Sequence, residues 1–355
     1  MRVCYFGIYK PTYTRNLTLI GGLRENNIEV IECNTREKSN KKYFQLLKAY
    51  WPIRKNYDVM VVGFPGHTIM PLAWFLAKMS GKKIVFDAFV SMYDSVILDR
   101  AQYLPKSLMA KKYWAIDWLA CKLADMILLD ADEHIKFFIE TFKIKKEKFK
   151  RILVSCDDKL IFPRQVEKED KNFLVHFHGT YIPIQGVKYI IAAARILKNE
   201  DIKFNIVGRL KDYQPEIEKV KEWQLANINF IDFLPYEKLA EMIAKADVCL
   251  GMFGKTPKAF RCGAFKITES MAAKIATITG DTPAMREFLE DKKSCLFCKM
   301  ADANDLAAKI LELKNNSDLK EQIADGGYQV YLKLLTPKAT AGELISVLNL
   351  LISKK

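Results

Sequence analysis

Apolar residues fall along this chain in two alternating rhythms, short unbroken runs and stripes at helical spacing. Arg2-Val-Cys-Tyr-Phe-Gly-Ile reads as a buried strand, a helical stretch through Leu17, Ile20 and Leu23 follows, and Glu29-Val-Ile-Glu-Cys is a second β-rich run. The cycle continues with a strand at 58–64, a helix at 70–79 ending at Gly81, a strand at 83–87, a helix at about 111–123, a strand at 126–129 and a helix at about 132–142. Strands that alternate with helices predict a mostly parallel sheet covered on both faces. After Ile152-Leu-Val, the polar stretch 156–171 reads as a linker.

A second set then begins. Strands are expected at 173–178, 204–208, 228–232, 248–252 and 275–279, and helices at 186–197, 236–245, 267–273 and 303–313. The predicted architecture is α/β, two doubly wound Rossmann-like domains in tandem, with boundaries at 1–166 and 167–336. A last apolar helix within 337–355, following Thr336-Pro337, is expected to cross back to the first domain.

Length agrees with two domains, since 355 residues exceed the ~250–300 that one core supports. The 12% aromatic content excludes a disordered chain. Lys78, Lys82 and Asp87 interrupt the best apolar run, and Asp117, Lys122 and Asp125 the next, so no stretch reaches the ~20 residues of a membrane span. Eight cysteines lie singly except Cys295-Leu-Phe-Cys298, and no second pair completes a zinc site, so no metal is expected. The opening residues read as a strand rather than a leader, which points to a reducing cytoplasm.

Charge divides the chain. Residues 1–166 hold 28 Lys/Arg against 17 Asp/Glu, and residues 167–355 hold 28 against 25, so the net charge of +14 sits mainly in the first part. Residues 36–55 carry seven Lys/Arg and one Glu, with Tyr43, Leu46, Leu47 and Tyr50 on a helical face and Phe44 and Trp51 beside it. Such a helix suits an anionic headgroup layer, through Lys41, Lys42, Tyr43, Leu47 and Trp51, or packs on its domain as an ordinary solvent-facing helix. No nucleic-acid-binding module is legible, so an anionic membrane surface is the expected polyanion, on the inner face of the cell membrane.

The densest chemistry lies in Lys258-Ala-Phe-Arg-Cys-Gly-Ala-Phe-Lys-Ile-Thr-Glu-Ser-Met-Ala, followed by Gly280-Asp-Thr-Pro-Ala-Met-Arg-Glu. A basic loop leads into a helix whose first turn carries Thr268 and Glu269. Unpaired N–H groups there, with Arg261 and Lys266, suit a diphosphate, and Glu269 suits a ribose diol. A surface salt bridge is the plainer reading of Lys-x-x-Glu.

These segments resemble the nucleotide-binding region of retaining GT-B glycosyltransferases of the glycogen-synthase-like, lipopolysaccharide-glycosyltransferase type (glycosyltransferase family 4 type). His178-Gly-Thr-Tyr-Ile-Pro-Ile-Gln-Gly and Ile206-Val-Gly-Arg agree in order and spacing. The resemblance implies two domains facing across a cleft, a nucleoside diphosphate sugar as co-substrate with no cofactor, and a donor site at His178, Gly179, Thr180, Arg209, Thr268 and Glu269. Three positions depart from it. Arg261 stands where a second carboxylate is usual, Gly179-Thr180…Gln185-Gly186 lacks the usual cation pair, and Phe89 takes the place of a histidine. Arg261 and Lys266 are therefore expected to replace the missing cations from the opposite side, stabilising the charge that develops on the leaving diphosphate.

In the first domain the segment 6–16 leaves a strand for a helix, where open α/β sheets bind ligands, and places Tyr9 and Asn16 on the expected acceptor side. His67 and Asp87 also follow strand ends. Each could steer an acceptor hydroxyl, or merely cap a helix and make a structural hydrogen bond. His176 is expected to pack in the sheet. The sequence thus predicts a glycosyltransferase acting on a glycolipid or lipid-linked saccharide, retaining and metal-independent. A sugar-nucleotide 2-epimerase of similar fold and an inert membrane-bound scaffold are the alternatives.

Overall fold

The computed structural model describes residues 1–37, 39–166 and 172–353. They form two compact units, Met1–Asp157 with Thr336–Lys355, and Asp158–Leu335. The expected domain start at residue 167, linker residues 167–171 and Lys38 of the basic segment lie outside the described residues.

In the first unit, β1 (Arg2–Gly7), α1 (Thr14–Glu25), β2 (Glu29–Asn34), α2 (Lys41–Ile53), β3 (Val59–Val62), α3 (Met70–Met79), β4 (Lys83–Phe89), α4 (Leu108–Leu123), β5 (Met126–Leu129), α5 (Asp132–Phe142) and β6 (Phe149–Arg151) alternate as the pattern predicts. All six strands are parallel, in the order β2-β1-β3-β4-β5-β6. Val59-Met-Val-Val62 is apolar at every position because helices cover both faces. Leu46, Leu76, Ala120 and Phe138 from α2 to α5 pack on one side with Phe6, Met60 and Phe86. Leu19 and Leu23 of α1 pack on the other with Leu344 and Leu348 of a final helix, Pro337–Ser353. Gly22 admits that helix, since a Cβ there would lie 1.9 Å from the Pro337 carbonyl oxygen. The strand order reverses between β1 and β3, which opens a crevice at their carboxyl ends.

The second unit repeats the plan. It comprises β7 (Phe173–His178), α6 (Val187–Ile196), β8 (Ile202–Val207), α7 (Gln214–Glu222), β9 (Ile228–Ile231), α8 (Tyr236–Lys245), β10 (Val248–Leu250), α9 (Phe265–Ala272), β11 (Ala276–Gly280), α10 (Pro283–Arg286), β12 (Leu296–Cys298), α11 (Ala303–Asn315) and α12 (Ser317–Val330), so the final helix is α13. The order is β12-β11-β10-β7-β8-β9, and the switch lies between β7 and β10. Gly186, at φ +67°, lets the loop after β7 close on the loop after β10, where a Cβ would meet Phe253 backbone at 2.5 Å.

Some elements differ from the sequence reading. β4 runs on to Phe89 through a register shift after Asp87, α4 begins at Leu108, and β6 precedes residues 152–154. The helices α7 and α12 escape the pattern because each buries only two residues, and Gly326-Gly327 within α12 reads as a break.

Candidate active site

At the switch point of the second unit, β7 ends in His178 and Gly179, and α9 presents its first turns beside them. His178 Nε2 lies 2.6 Å from Glu269 Oε2, and the Tyr236 hydroxyl donates to Glu269 Oε1 at 2.5 Å. His176 Nε2 stands 3.1 Å from His178 Nδ1. The carboxylate assigns one proton of this network, the Nε2–H of His178 that faces it. Burial would raise the Glu269 pKa, but His178, Tyr236 and Lys266 together hold it below its ordinary value. Burial, reinforced by His178 and Lys266, pushes His176 well below the usual histidine range, so it is neutral.

Lys266 is buried, donates to Gln185 Oε1, and holds its Nζ 4.3 Å from the centre of the Phe177 ring. The two are in close contact, since a Cβ on Gly179 would approach Nζ to 2.9 Å and the lysine would have to shift. Lys266 thus reaches from α9 onto the very loop, Gly179 to Gln185, that lacks its own cations. Burial pushes its pKa down to about 7, partly offset by Glu269.

The remaining expected donor residues are scattered. Thr180 is exposed on the loop, whereas Arg261 is half-buried four residues before α9. Thr268 is buried within α9, as Lys266 and Glu269 are. The Arg209 guanidinium is exposed and bonds Asp212 at 2.7 Å. Much of the Gly280-Asp-Thr-Pro segment serves the fold. Thr282 caps α10 by accepting from Met285 N, Pro283 opens that helix, and Asp281 pairs with Arg286 at 2.6 Å. Sequence reasoning missed Tyr236 and Tyr213, whose hydroxyl donates to the Gly179 carbonyl at 2.7 Å. Neither stands in a motif.

At the corresponding edge of the first unit the expected reactive groups are locked. Asp87 is fully buried and accepts from Arg15 Nε and Nη2 at 3.1 and 3.0 Å, while Arg15 Nη1 donates to the Ile152 and Leu153 carbonyls. It holds the sheet edge rather than steering a hydroxyl. His67 is buried with Nε2 2.9 Å from the Val90 carbonyl, and burial lowers its pKa. Asp117, 3.6 Å away, accepts from Ser91 Oγ and the amides of Met92 and Tyr93, so the pair fixes the turn after β4. Tyr9 and Asn16 are likewise buried. Tyr9 donates to Glu32, and Asn16 joins Tyr5 to the Phe64 carbonyl, tying the loops after β1 and β3 together. Beside them lies an aromatic group in which Tyr13 and Phe64 keep partial exposure and Phe89 is buried. Phe64 lies 5.3 Å from Tyr13 and 5.2 Å from Phe89, ring centre to ring centre, and each follows or ends a strand.

The helix α2 divides differently from its predicted face. Leu46 and Tyr50 enter the core, where the Tyr50 hydroxyl meets Tyr57, Ser80 and the Leu76 carbonyl. Tyr43, Phe44, Leu47 and Trp51 stay outside, Phe44 at 70% and Trp51 at 56% exposure, with Lys42 over Tyr43 and Arg54 over Trp51. Among the described residues no helix is long and apolar enough to cross a membrane.

Residues 158–330, nearly all of the second unit, match the family described as Glycosyl transferases group 1. An uncharacterized glycosyltransferase of Methanocaldococcus jannaschii, MJ1178, is 26% identical over 173 residues, which cover 49% of this chain and 47% of that protein. The match therefore spans about half the length of that curated relative. Among solved structures, sucrose-phosphate synthase of Thermosynechococcus elongatus superposes with a TM-score of 0.77 at 14% identity, covering 100% of both chains. Anabaena Alr3699/HepE, crystallised with UDP and glucose, gives 0.72 at 14% identity over 98% of this chain and 99% of its own. The chain therefore has the GT-B fold of two parallel-sheet α/β domains, and within its second unit residues 158–330 are similar to the glycosyl transferases group 1 family.

Proposed function

We propose that the protein is a glycosyltransferase that moves a sugar from a nucleoside diphosphate donor to a hydroxyl of a glycolipid or lipid-linked saccharide, with retention of configuration and without a metal. The observation that carries this reading is the buried cluster at the carboxyl edge of β7. There Glu269 is held ionised by His178 and Tyr236, and Lys266 rests on the Gly179 loop at the switch point where doubly wound sheets take nucleotides. Glu269 would accept from the ribose hydroxyls. Lys266, with Arg261 nearby in sequence, would meet the diphosphate, and both cations would stabilise the negative charge that grows as the glycosidic bond breaks. A diphosphate beside Lys266 favours the charged amine, which burial alone disfavours.

In the first unit Tyr13 and Phe64, packed on the buried Phe89, offer partly exposed rings on which a sugar ring of the acceptor could stack. The exposed aromatics and cations of α2 support peripheral attachment to an anionic membrane. The solved relative that holds UDP-glucose makes that donor the first to try. A thermal-shift panel of UDP-, GDP-, ADP- and TDP-sugars tests the reading, because a ligand of the native state raises its apparent stability. One donor should raise the melting midpoint and release its nucleoside diphosphate on addition of a lipid-linked acceptor. Stabilisation by none of the four would defeat the proposal.

A further inference from the structure

From Arg100 to Leu123 the first unit contains five cations, Arg100, Lys106, Lys111, Lys112 and Lys122, and one acid, Asp117. Asp117 is fully buried, so every exposed charge on this stretch is positive. The same stretch carries Leu104 at 78% and Leu108 at 83% exposure. Local structure explains how the leucines come to face out. Residues 101–106 are exposed without exception, and Ser107 then caps α4 by accepting from Ala110 N at 3.2 Å. Inside α4, Ala110, Asp117, Ala120 and Cys121 point to the core. The opposite stripe is Leu108, Lys112, Ala115, Leu119 and Lys122, all exposed.

We infer that the loop 100–107 and the outer stripe of α4 form a lipid-facing surface that seats in the headgroup layer of an anionic bilayer. Aliphatic side chains ringed by lysines gain twice there, from burial of the leucines among acyl chains and from attraction to acidic headgroups. The other polyanion, nucleic acid, would be gripped by a row of aromatic platforms, whereas this stretch exposes Tyr103 beside Leu104 and Leu108, which cannot stack on bases. A second copy of the chain is disfavoured too, since a two-fold contact would set this basic face against itself. α4 leads from the carboxyl end of β4, so its first turn belongs to the sheet edge that carries Tyr13, Phe64 and Phe89. A bilayer at that surface would bring a lipid-linked acceptor to its expected place. The inference builds on the membrane reading above, but it names a segment separate from α2.

Sedimentation of the full chain with phosphatidylcholine vesicles, with and without phosphatidylglycerol, tests it. Wild type should bind only the anionic vesicles. Leu104→Ser with Leu108→Ser should bind at least about tenfold more weakly with an unchanged melting midpoint, because both side chains already lie in solvent. A Lys106→Glu, Lys111→Glu, Lys112→Glu variant should lose the dependence on anionic lipid. All eight native cysteines are buried, so Leu108→Cys can be labelled alone with an environment-sensitive dye, whose emission should shift to the blue on the vesicles. If the leucine variant binds like wild type while Lys41→Glu, Lys42→Glu, Lys48→Glu in α2 abolishes binding, this inference falls and the membrane reading stands. Failure of wild type to bind any vesicle defeats both, as does binding to a soluble acidic protein alone.

Discussion

The carboxyl edges of the two sheets are built from similar residue types and put them to opposite use. In the first unit Arg15 has Asp87 and two carbonyls, and Asp117 has a hydroxyl and two amides. In the second unit Lys266 is bonded to a neutral amide, Gln185, above a glycine niche, and Glu269 is bonded to an imidazole and a phenol. A buried charge with a complete set of partners is architecture. A buried cation with a neutral partner lowers its pKa and stays ready for an anion that water has left.

The largest effect should break the architectural side. Asp87→Ala leaves the Arg15 guanidinium buried without its carboxylate and should cost about 3–5 kcal/mol in chemical denaturation, whereas replacing both partners by apolar residues should recover much of that loss. Donor affinity of any folded Asp87 variant should match wild type. A selective loss of turnover at full stability would return Asp87 to the chemistry.

On the other side, Lys266→Ala should lower turnover by about 10²–10³ with a smaller change in donor affinity, the scale of losing one stabiliser of a developing anion. Thr180→Arg with Gln185→Lys in that background should restore part of the rate. Normal turnover of both Lys266→Ala and Arg261→Ala would end the idea that they replace the missing loop cations.

Glu269→Gln removes the charge but keeps the shape, and should weaken nucleotide binding by about 1–3 kcal/mol in a titration of the folded variant, whose melting midpoint should fall because the carboxylate is stabilised in the fold. Equal affinity would take Glu269 out of the donor site.

A further effect concerns pH. Lys266 is held at about 7 in the fold against 10.5 when unfolded, so between those values the unfolded chain binds more protons and stability rises with pH. Lys266→Met should therefore exceed wild type in melting midpoint at and below about pH 7, with the gap closing toward pH 10. A gap that does not vary with pH would show that Lys266 keeps its charge without cost.

The alternation of strands and helices was legible because parallel strands buried on both faces must be apolar throughout, as Val59-Met-Val-Val62 is. Short motifs also pointed to residues that the fold brings together, since Lys266, Glu269, His178 and Gly179 do converge. The partners were not legible. Tyr236 comes from a helix 33 residues away in sequence and Gln185 from 81 away, and nothing local marks them. The same holds in the first unit. Asp87 near the end of β4, His67 and Tyr9 beyond strand ends and Asn16 in α1 take their partners from α1, α4, β2 and β1, and no local pattern marks those pairings.

The most direct test of the central claim, that the donor diphosphate rests on Lys266, is proton uptake on binding. Titrate a nucleoside diphosphate sugar calorimetrically at about pH 8 in buffers of different ionisation enthalpy. Burial holds free Lys266 near 7, so it is mostly neutral there, and an anion placed against it should draw on a proton. The account predicts uptake of close to one proton by wild type and none by Lys266→Arg. Binding without proton uptake, or equal uptake in both proteins, would contradict it.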